Sequence, residues 1–253
     1  MDIAELSRHV DQYKRAEVSK VIDPADEMWA DGKAWYFPVG ESALRSIVVG
    51  LAVFRLAHVQ SVLDLPCGHG RVARHLRAAF PTAKLSFCDI ARPAVDFCSR
   101  EFDGFGVYSR EELTETPLGA YDVIWVGSLF THISRERTAR WLAYLAQHLS
   151  RDGIVVATFH GVWSIEVQKT NPLIGPEQWK SILQQFAAAG YGYASYPDSG
   201  SYDFGVSLSS PAAIVALASE IDGIRILSYT ERGWADNHDV LVLGRTDRFR
   251  AWP

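Results

Sequence analysis

The chain has 253 residues, 48% of them hydrophobic, with a net charge of −5 and a pI near 5.9. A chain of this length buries roughly 70–75% of its unfolded surface, enough for one sizeable core, and its acidic balance excludes the globally basic surface that nucleic-acid phosphates require. The three cysteines, Cys67, Cys88 and Cys98, are odd in number and lack C-x-x-C spacing, which argues against a disulfide framework or structural zinc and for reduced thiols in a cytoplasmic protein.

The first residues, Met1 to Glu5, are polar and acidic, unlike a secretory leader. Ile3, Leu6, Val10 and Tyr13 recur at helical spacing and predict an opening amphipathic helix. Trp29–Gly40 reads as a mixed, aromatic segment (Trp35, Tyr36, Phe37) ended by Pro38 and Gly40. A second helix is expected over Ser42–Ala57, with Leu44, Ile47, Val48 and Leu51 on one stripe. The longest apolar stretch, Ile47–Ala57, is interrupted by Arg55 and is too short to span a bilayer, so no membrane partner is expected.

Strands and helices then alternate. Val62–Leu65, Leu85–Cys88, Gly106–Tyr108, Val123–Val126 and Ile154–Ala157 read as strands. Arg71–Phe80, Pro93–Phe102 and Arg135–Leu149 read as the helices between them. This alternation implies a parallel sheet covered on both faces. Two arginine sets, Arg71/Arg74/Arg77 and Arg135/Arg137/Arg140, fall in these helices and read as solvated faces. In the C-terminal third, Pro176–Ala189 is helical with Gly190 as its stop, and Tyr191–Ser209 is dense in Gly, Tyr and Ser. A helix starts at Pro211 with Ser210 as N-cap. Ile224–Leu227 and Val240–Leu243, joined by the turn-like Glu231–Asn237, form an antiparallel hairpin. The whole reads as one domain over 1–253: a helical cap (1–60), a cofactor-binding core (61–160), an insert or lid (161–222) and a closing hairpin (223–245).

Asp64-Leu65-Pro66-Cys67-Gly68-His69-Gly70 joins the first strand to its helix. Glycines there let the backbone approach a ligand without a Cβ in the way, and ligands of open α/β sheets bind beyond the carboxyl ends of the strands. Asp89 ends the neighbouring strand, where a carboxylate can accept bonds from two ribose hydroxyls. Gly68–Ala73 also fits the dinucleotide pattern G-x-G-x-x-A. Asp64 inside the strand end suits an ammonium and repels a pyrophosphate, and Pro66 lacks an N–H that a phosphate could use.

The segment Val62–Gly70 resembles the first motif of the class I S-adenosylmethionine-dependent methyltransferases. Asp89 is similar to their ribose-binding acid, Tyr121–Trp125 to their fourth strand and Arg225–Gly244 to their closing strands. The resemblance implies an α/β, Rossmann-like sheet of seven strands with the last antiparallel, helices on both faces, an N-terminal helical extension and an inserted lid-like segment. It implies S-adenosylmethionine as cofactor and S-adenosylhomocysteine as product. Asp64, Pro66, Gly68 and Gly70 would then hold the methionine end, and Asp89 with Ile90 the ribose side. Ser109 and Arg110 would lie near the adenine, and Gly127, Ser128 and Phe130 near the sulfonium. Tyr36 would either cover the cofactor or seal the core.

Three histidines belong to the carboxyl edge: His132 after the fourth strand, His160 after the fifth, and His238 at the start of the reversed last strand. A neutral imidazole accepts a proton near pH 7. His160 is the first candidate for a general base and His132 the second, with structural hydrogen bonding as the alternative for each. With Asp236 and Asp239 they also raise a metal hypothesis, but no compact ligand motif is present and no required metal is expected. Tyr191, Tyr193, Tyr196, Tyr202 and Phe204 form either a lid over the acceptor or a β excursion packed on the domain. The leading function is methyl transfer to a small-molecule acceptor, at the oxygen of a hydroxylated metabolite or sugar. The alternatives are a nicotinamide-dependent oxidoreductase and a non-catalytic cofactor-binding protein.

Overall fold

The computed structural model describes residues 7, 11, 13, 16–54, 58–197 and 203–246. The expected opening helix on Ile3, Leu6 and Val10 lies outside them; of its stripe only Tyr13 is described, and its hydroxyl meets His75 Nδ1 at 2.8 Å. The first half of the chain runs α1 (Glu27–Phe54), β1 (Ser61–Leu65), α2 (Ala73–Ala79), β2 (Lys84–Asp89), α3 (Arg92–Glu101), β3 (Phe105–Tyr108) and β4 (Tyr121–Val126). The second half runs α4 (Arg135–Gln147), β5 (Leu149–Phe159), α5 (Ser164–Thr170), α6 (Pro176–Ala189), β6 (Tyr191–Ser195), β7 (Gly205–Ser209), α7 (Pro211–Ser219), β8 (Ile224–Trp234) and β9 (His238–Arg245).

Seven strands form one sheet in the order β3-β2-β1-β4-β5-β9-β8. β9 lies antiparallel between β5 and β8, and the pairings among β1 to β5 are parallel. The expected seven-stranded sheet with a reversed last strand is therefore present. Its strand order turns around between β1 and β4, the switch point where α/β sheets open a crevice.

Strict alternation builds the two faces. Val62, Val123, Trp125, Ile154, Val156, Val240 and Val242 point to the side covered by α1, α2 and α3. Leu63, Leu65, Ile124, Val126, Val155, Ala157, Leu241 and Leu243 point to the side covered by α4 and α7. The inner strands β1, β2, β4, β9 and the second half of β5 are buried on both faces, so their sequences read as apolar runs, whereas most residues of the edge strands β3 and β8 stay partly or fully exposed.

The entry segment departs from expectation. Trp29–Gly40 is not an irregular stretch but the first half of α1, which runs 28 residues with a kink at Gly32 (φ −141°, ψ 40°) and Pro38 inside it. Pro38 costs one backbone bond; burial of Tyr36, Leu44, Ile47, Leu51 and Phe54 outweighs it. Gly40 is not a stop either. A Cβ there would lie 2.3 Å from the Arg71 carbonyl oxygen, so glycine lets α1 cross close to the start of α2. Gly32–Phe54 is long and apolar enough to cross a membrane by length and composition, with mean hydropathy 1.5; here one stripe of it packs on the sheet.

In the C-terminal third, Gly190 caps α6 in the left-handed region (φ 70°) and the Ser210 hydroxyl accepts from Ala213 N–H, both as expected. Glu231–Trp234, expected in the turn, extends β8. Within this stretch β6 and β7 pair as an antiparallel hairpin, and β7 is wholly buried. Val206 and Leu208 pack against Ile182 of α6, while Gly205 and Ser207 N–H groups donate to the carbonyls of His132 and Thr131.

Candidate active site

The loop after β1 is tied to β2 by Cys67 N–H, which donates to the Cys88 carbonyl, 3.0 Å; its Leu65–Pro66 peptide is cis. Its two glycines serve different ends. Gly68 (φ +47°) would carry a Cβ into open space, so its backbone borders room for a ligand. Gly70 (φ +83°) would place a Cβ 2.2 Å from the Phe102 ring, so its missing side chain serves packing between the loop and α3. Asp64, 1% exposed at the end of β1, has no hydrogen-bond partner for either carboxylate oxygen. Burial foremost, then the neighbouring Asp89, pushes its pKa well up, while Arg71 pulls the other way. An unpartnered buried carboxylate is costly, and the ammonium of a methionine moiety is the complement it lacks. On these observations the loop fits S-adenosylmethionine.

Asp89 Oδ2 accepts from Gly68 N–H and Oδ1 from Ala91 N–H, each at 2.9 Å. Each oxygen keeps capacity for one more bond, which two ribose hydroxyls could fill. Asp89 borders a cleft of about 280 Å³ at the carboxyl edge. That cleft gathers Pro66, Ile90, Ser109, Arg110, Ser128 and His132, all singled out from the sequence. Gly127 N–H donates to the Leu65 carbonyl, 3.1 Å, closing the switch point. Ser128 stands in the left-handed region (φ 61°), and its N–H is held by Thr158 Oγ1 at 2.8 Å.

Two expected residues lie elsewhere. Tyr36 does not line this cleft: it is 1% exposed, and its hydroxyl donates to Asp26 Oδ2 at 2.5 Å and accepts from Arg74. Of its two readings, sealing the core is the one that fits. Phe130 is fully buried and stacked on Phe159, ring centroids 5.3 Å apart.

The three histidines do converge. Ring centroids lie 6.2 Å apart for His132–His160 and 4.8 Å for His160–His238, and the His238 ring meets Trp234 at 5.0 Å. Only His132 lines the cleft. Its Nδ1–H donates to the Gly205 carbonyl at 2.8 Å, and the Tyr196 hydroxyl lies 3.2 Å from the same nitrogen. That fixes the tautomer and leaves Nε2 as acceptor. Burial keeps its pKa below the ordinary histidine value, so it is neutral near pH 7. His160 sits behind it with Nδ1 on the Ser207 carbonyl at 3.1 Å, and burial brings its pKa down to about 3. His238 is buried with Nδ1 unpartnered, its pKa lowered by burial.

Among the described residues no three His, Cys, Asp or Glu side chains group as a metal ion would require. Asp236 pairs with Arg232 at 2.7 Å, and Asp239 accepts from the Tyr229 hydroxyl and Arg232 N–H. In the aromatic insert Tyr191 anchors the hairpin, donating to the Ile133 carbonyl at 2.9 Å. Phe204 lines the cleft. Tyr202 lies outside the described residues.

Sequence reasoning missed the first arginine set. Arg74 is no solvated residue: it is 1% exposed and donates to the carbonyls of Gly70, Ser19 and Val21 as well as to Tyr36. Arg77 is half-buried and donates to the carbonyls of Phe102 and Asp103. The small residues one turn either side of Arg74, Gly70 and Ala78, are the signal of a buried face that could have found it. Trp141 and Leu113, which complete the cleft wall, carried no motif.

A family model described as a methyltransferase domain matches residues 63–155. No curated protein matches the chain. Among solved structures, the plantazolicin methyltransferase BpumL in complex with SAH is similar at TM-score 0.57 and 14% identity, covering 96% of this chain and 95% of that one. An S-adenosylmethionine-dependent methyltransferase from Clostridium acetobutylicum is similar at TM-score 0.55 and 10% identity, covering 81% and 91%. The mitomycin 7-O-methyltransferase MmcR is similar at TM-score 0.51 and 12% identity, covering 96% and 67%. The matched segment spans the glycine loop, Asp89 and β4 and reaches into β5, within a sheet of this order; this part of the chain is a methyltransferase domain with S-adenosylmethionine as its methyl donor, in the fold that those solved structures share.

Proposed function

We propose that the enzyme methylates a hydroxyl oxygen of a small hydroxylated metabolite, with His132 as general base. The observation that carries this reading is the His132 ring: it borders the same cleft as Asp89, and its tautomer leaves Nε2 free to accept a proton. A hydroxyl of high pKa needs such a base, whereas a thiolate or a free amine does not. His160, first in line by sequence position, is less suited, being buried behind His132. The activity named for MmcR, an O-methyltransferase of a small molecule, also favours oxygen.

When bound, S-adenosylmethionine supplies a methyl group on a positively charged sulfur, open to in-line displacement. The chain's own part is to hold and orient. Asp89 accepts the ribose hydroxyls while its bonds to Gly68 and Ala91 keep it rigid. Asp64 faces the ammonium, with Gly68 and Gly70 shaping the turn around it. Ile90, Ser109 and Arg110 border the base, and Gly127 and Ser128 the sulfur. The β6–β7 hairpin bounds the cleft through Phe204 and holds His132 through Gly205, excluding water from the transfer. His132 Nε2 takes the acceptor proton as the oxygen–carbon bond forms.

The test is a turnover screen with polyols, sugars, phenols and amines, run on wild type and His132→Ala. Methylation of hydroxyl acceptors that collapses in the variant supports the reading. Methylation of amines alone, or hydroxyl methylation indifferent to His132, rejects it.

A further inference from the structure

From Ile154 to Phe159 β5 is apolar except for Thr158, which is fully buried. Strand alternation puts Thr158 on the face of Ile154 and Val156, where a valine would pack in the same shape without a polar atom. A buried hydroxyl needs a partner, and Thr158 Oγ1 accepts the N–H of Ser128 at 2.8 Å. Ser128 stands at φ 61°, where the Cβ of an L residue crowds the following carbonyl. Of the five described non-glycine residues with positive φ, Ser128 alone borders the cleft of Asp89 and His132. Thr131, also fully buried, holds the other side of the same residue. Its Oγ1 donates to the Ser128 carbonyl at 2.8 Å and lies 3.2 Å from the Ser128 hydroxyl. The turn then closes on His132, whose N–H donates to the Leu129 carbonyl at 3.1 Å, and Ser207 N–H ties the Thr131 carbonyl to β7 at 2.9 Å. The stretch from Ser128 to His132 is thus slung between β5 and β7, with Thr158 as its anchor on β5.

We propose that Thr158 is a positioning residue: its hydroxyl holds Ser128 left-handed before any ligand arrives, so that the cleft wall meets the cofactor already in its bound shape. The proposal rests on the reading of this cleft as the cofactor site and adds to it a residue that touches neither cofactor nor acceptor. Without the hydroxyl, the Ser128 N–H loses its acceptor and the free protein lets Ser128 relax towards ordinary backbone angles. Ligand binding then has to draw the residue back, and the strain of that step is subtracted from affinity. His132 follows in the same turn, so the anchor that sets the wall beside the cofactor also sets the place of the imidazole.

The experiment is calorimetric titration of the full chain with S-adenosylhomocysteine. Thr158→Val keeps the shape and loses the hydroxyl, and should bind about 5- to 30-fold more weakly than wild type, the range that the strain of one left-handed residue spans. Thr158→Ser keeps the hydroxyl and should bind within about threefold of wild type. The decisive comparison is a double-mutant cycle. Glycine takes positive φ freely, so adding Thr158→Val to Ser128→Gly should cost less than about threefold further. A packing defect at position 158 would cost the same in either background. If Thr158→Val does not fold, Thr158→Ala takes its place, with the same expected losses. Wild-type affinity in Thr158→Val overturns the proposal. So does a loss in Thr158→Ser as large as in Thr158→Val, or an undiminished loss in the Ser128→Gly background. All three leave the cofactor reading intact, because wild type still binds. Failure of wild type to bind S-adenosylhomocysteine overturns that reading and the proposal with it.

Discussion

Nδ1 of His132 donates to the carbonyl oxygen of Gly205 across 2.8 Å, joining the loop after β4 to the first residue of β7. The bond decides the chemistry of the ring, because it fixes the proton on Nδ1 and aims the lone pair of Nε2 elsewhere. His132→Ala should lower turnover with a hydroxyl acceptor by roughly 100- to 10,000-fold, the range for loss of a general base. Affinity for S-adenosylhomocysteine should stay within a few-fold. Because burial holds the histidine's pKa below its ordinary value, the wild-type rate should be flat through neutral pH and fall only on the acid side of 6.5. A rate that falls between pH 8 and 7 would point to another base.

Asp89 is held by two backbone N–H groups before any ligand arrives. Asp89→Asn keeps the shape but replaces one acceptor oxygen with a donor nitrogen. It should lose a charge-assisted ribose bond worth about 1.5–3 kcal/mol and force one of the two N–H groups to seek another acceptor. Titration with S-adenosylhomocysteine should show affinity down by about 10- to 150-fold. Unchanged affinity would show that the ribose is read elsewhere.

Arg74 joins α2 to the segment before α1 and to the carbonyl of Gly70. Arg74→Met should destabilise the fold by about 2–4 kcal/mol. It strands the Tyr36–Asp26 pair without its cation and leaves carbonyls short of a donor. Urea unfolding reads this as a lower midpoint at similar slope. A loss under about 0.5 kcal/mol, ordinary for a surface arginine, would restore the solvated reading.

The sheet was legible because its inner strands are buried on both faces and so read as apolar runs, while the glycine loop and Asp89 interrupt those runs at fixed places. The meeting of His132, His160 and His238 was legible too: a reversed final strand must begin at the edge where the parallel strands end. The first half of α1 was not. Pro38 and Gly40 are local breakers, and what keeps the helix intact is distant, the burial of Tyr36 and the close crossing at the Arg71 carbonyl. His160 ranks over His132 by chain position alone, and position carries no measure of depth. Both follow strands at the same edge, and only the β6–β7 hairpin, whose register no local pattern announces, decides which ring borders the cleft. Arg74 was hidden for a similar reason, since its partners are carbonyls, which leave no mark in a sequence.

The buried histidines also predict how stability depends on pH. His160 is held neutral with its pKa at about 3, by burial first and then by the nearby His132; His75 is held at about 4, by burial and by Arg74 and Lys20. Both have a folded value below the unfolded 6.5, so below pH 6.5 the unfolded chain takes up protons that the folded one refuses. Their stabilising contribution is complete above pH 6.5 and is lost as pH falls towards 4 and 3. At about 1.4 kcal/mol per pH unit for each group, roughly 2 kcal/mol apiece disappears by pH 5. His238, shifted the same way, adds to the loss. Asp64 acts with the opposite sign: its raised value means that the folded protein takes up a proton first, which returns some stability as pH falls. Urea midpoints measured at pH 7.5 and pH 5 should therefore differ, with the protein weaker in acid. His160→Gln should shrink that difference by about 2 kcal/mol, because the variant has no imidazole to titrate in either state. A variant with the same acid loss as wild type would mean that His160 is protonated inside the folded protein, against its burial behind His132.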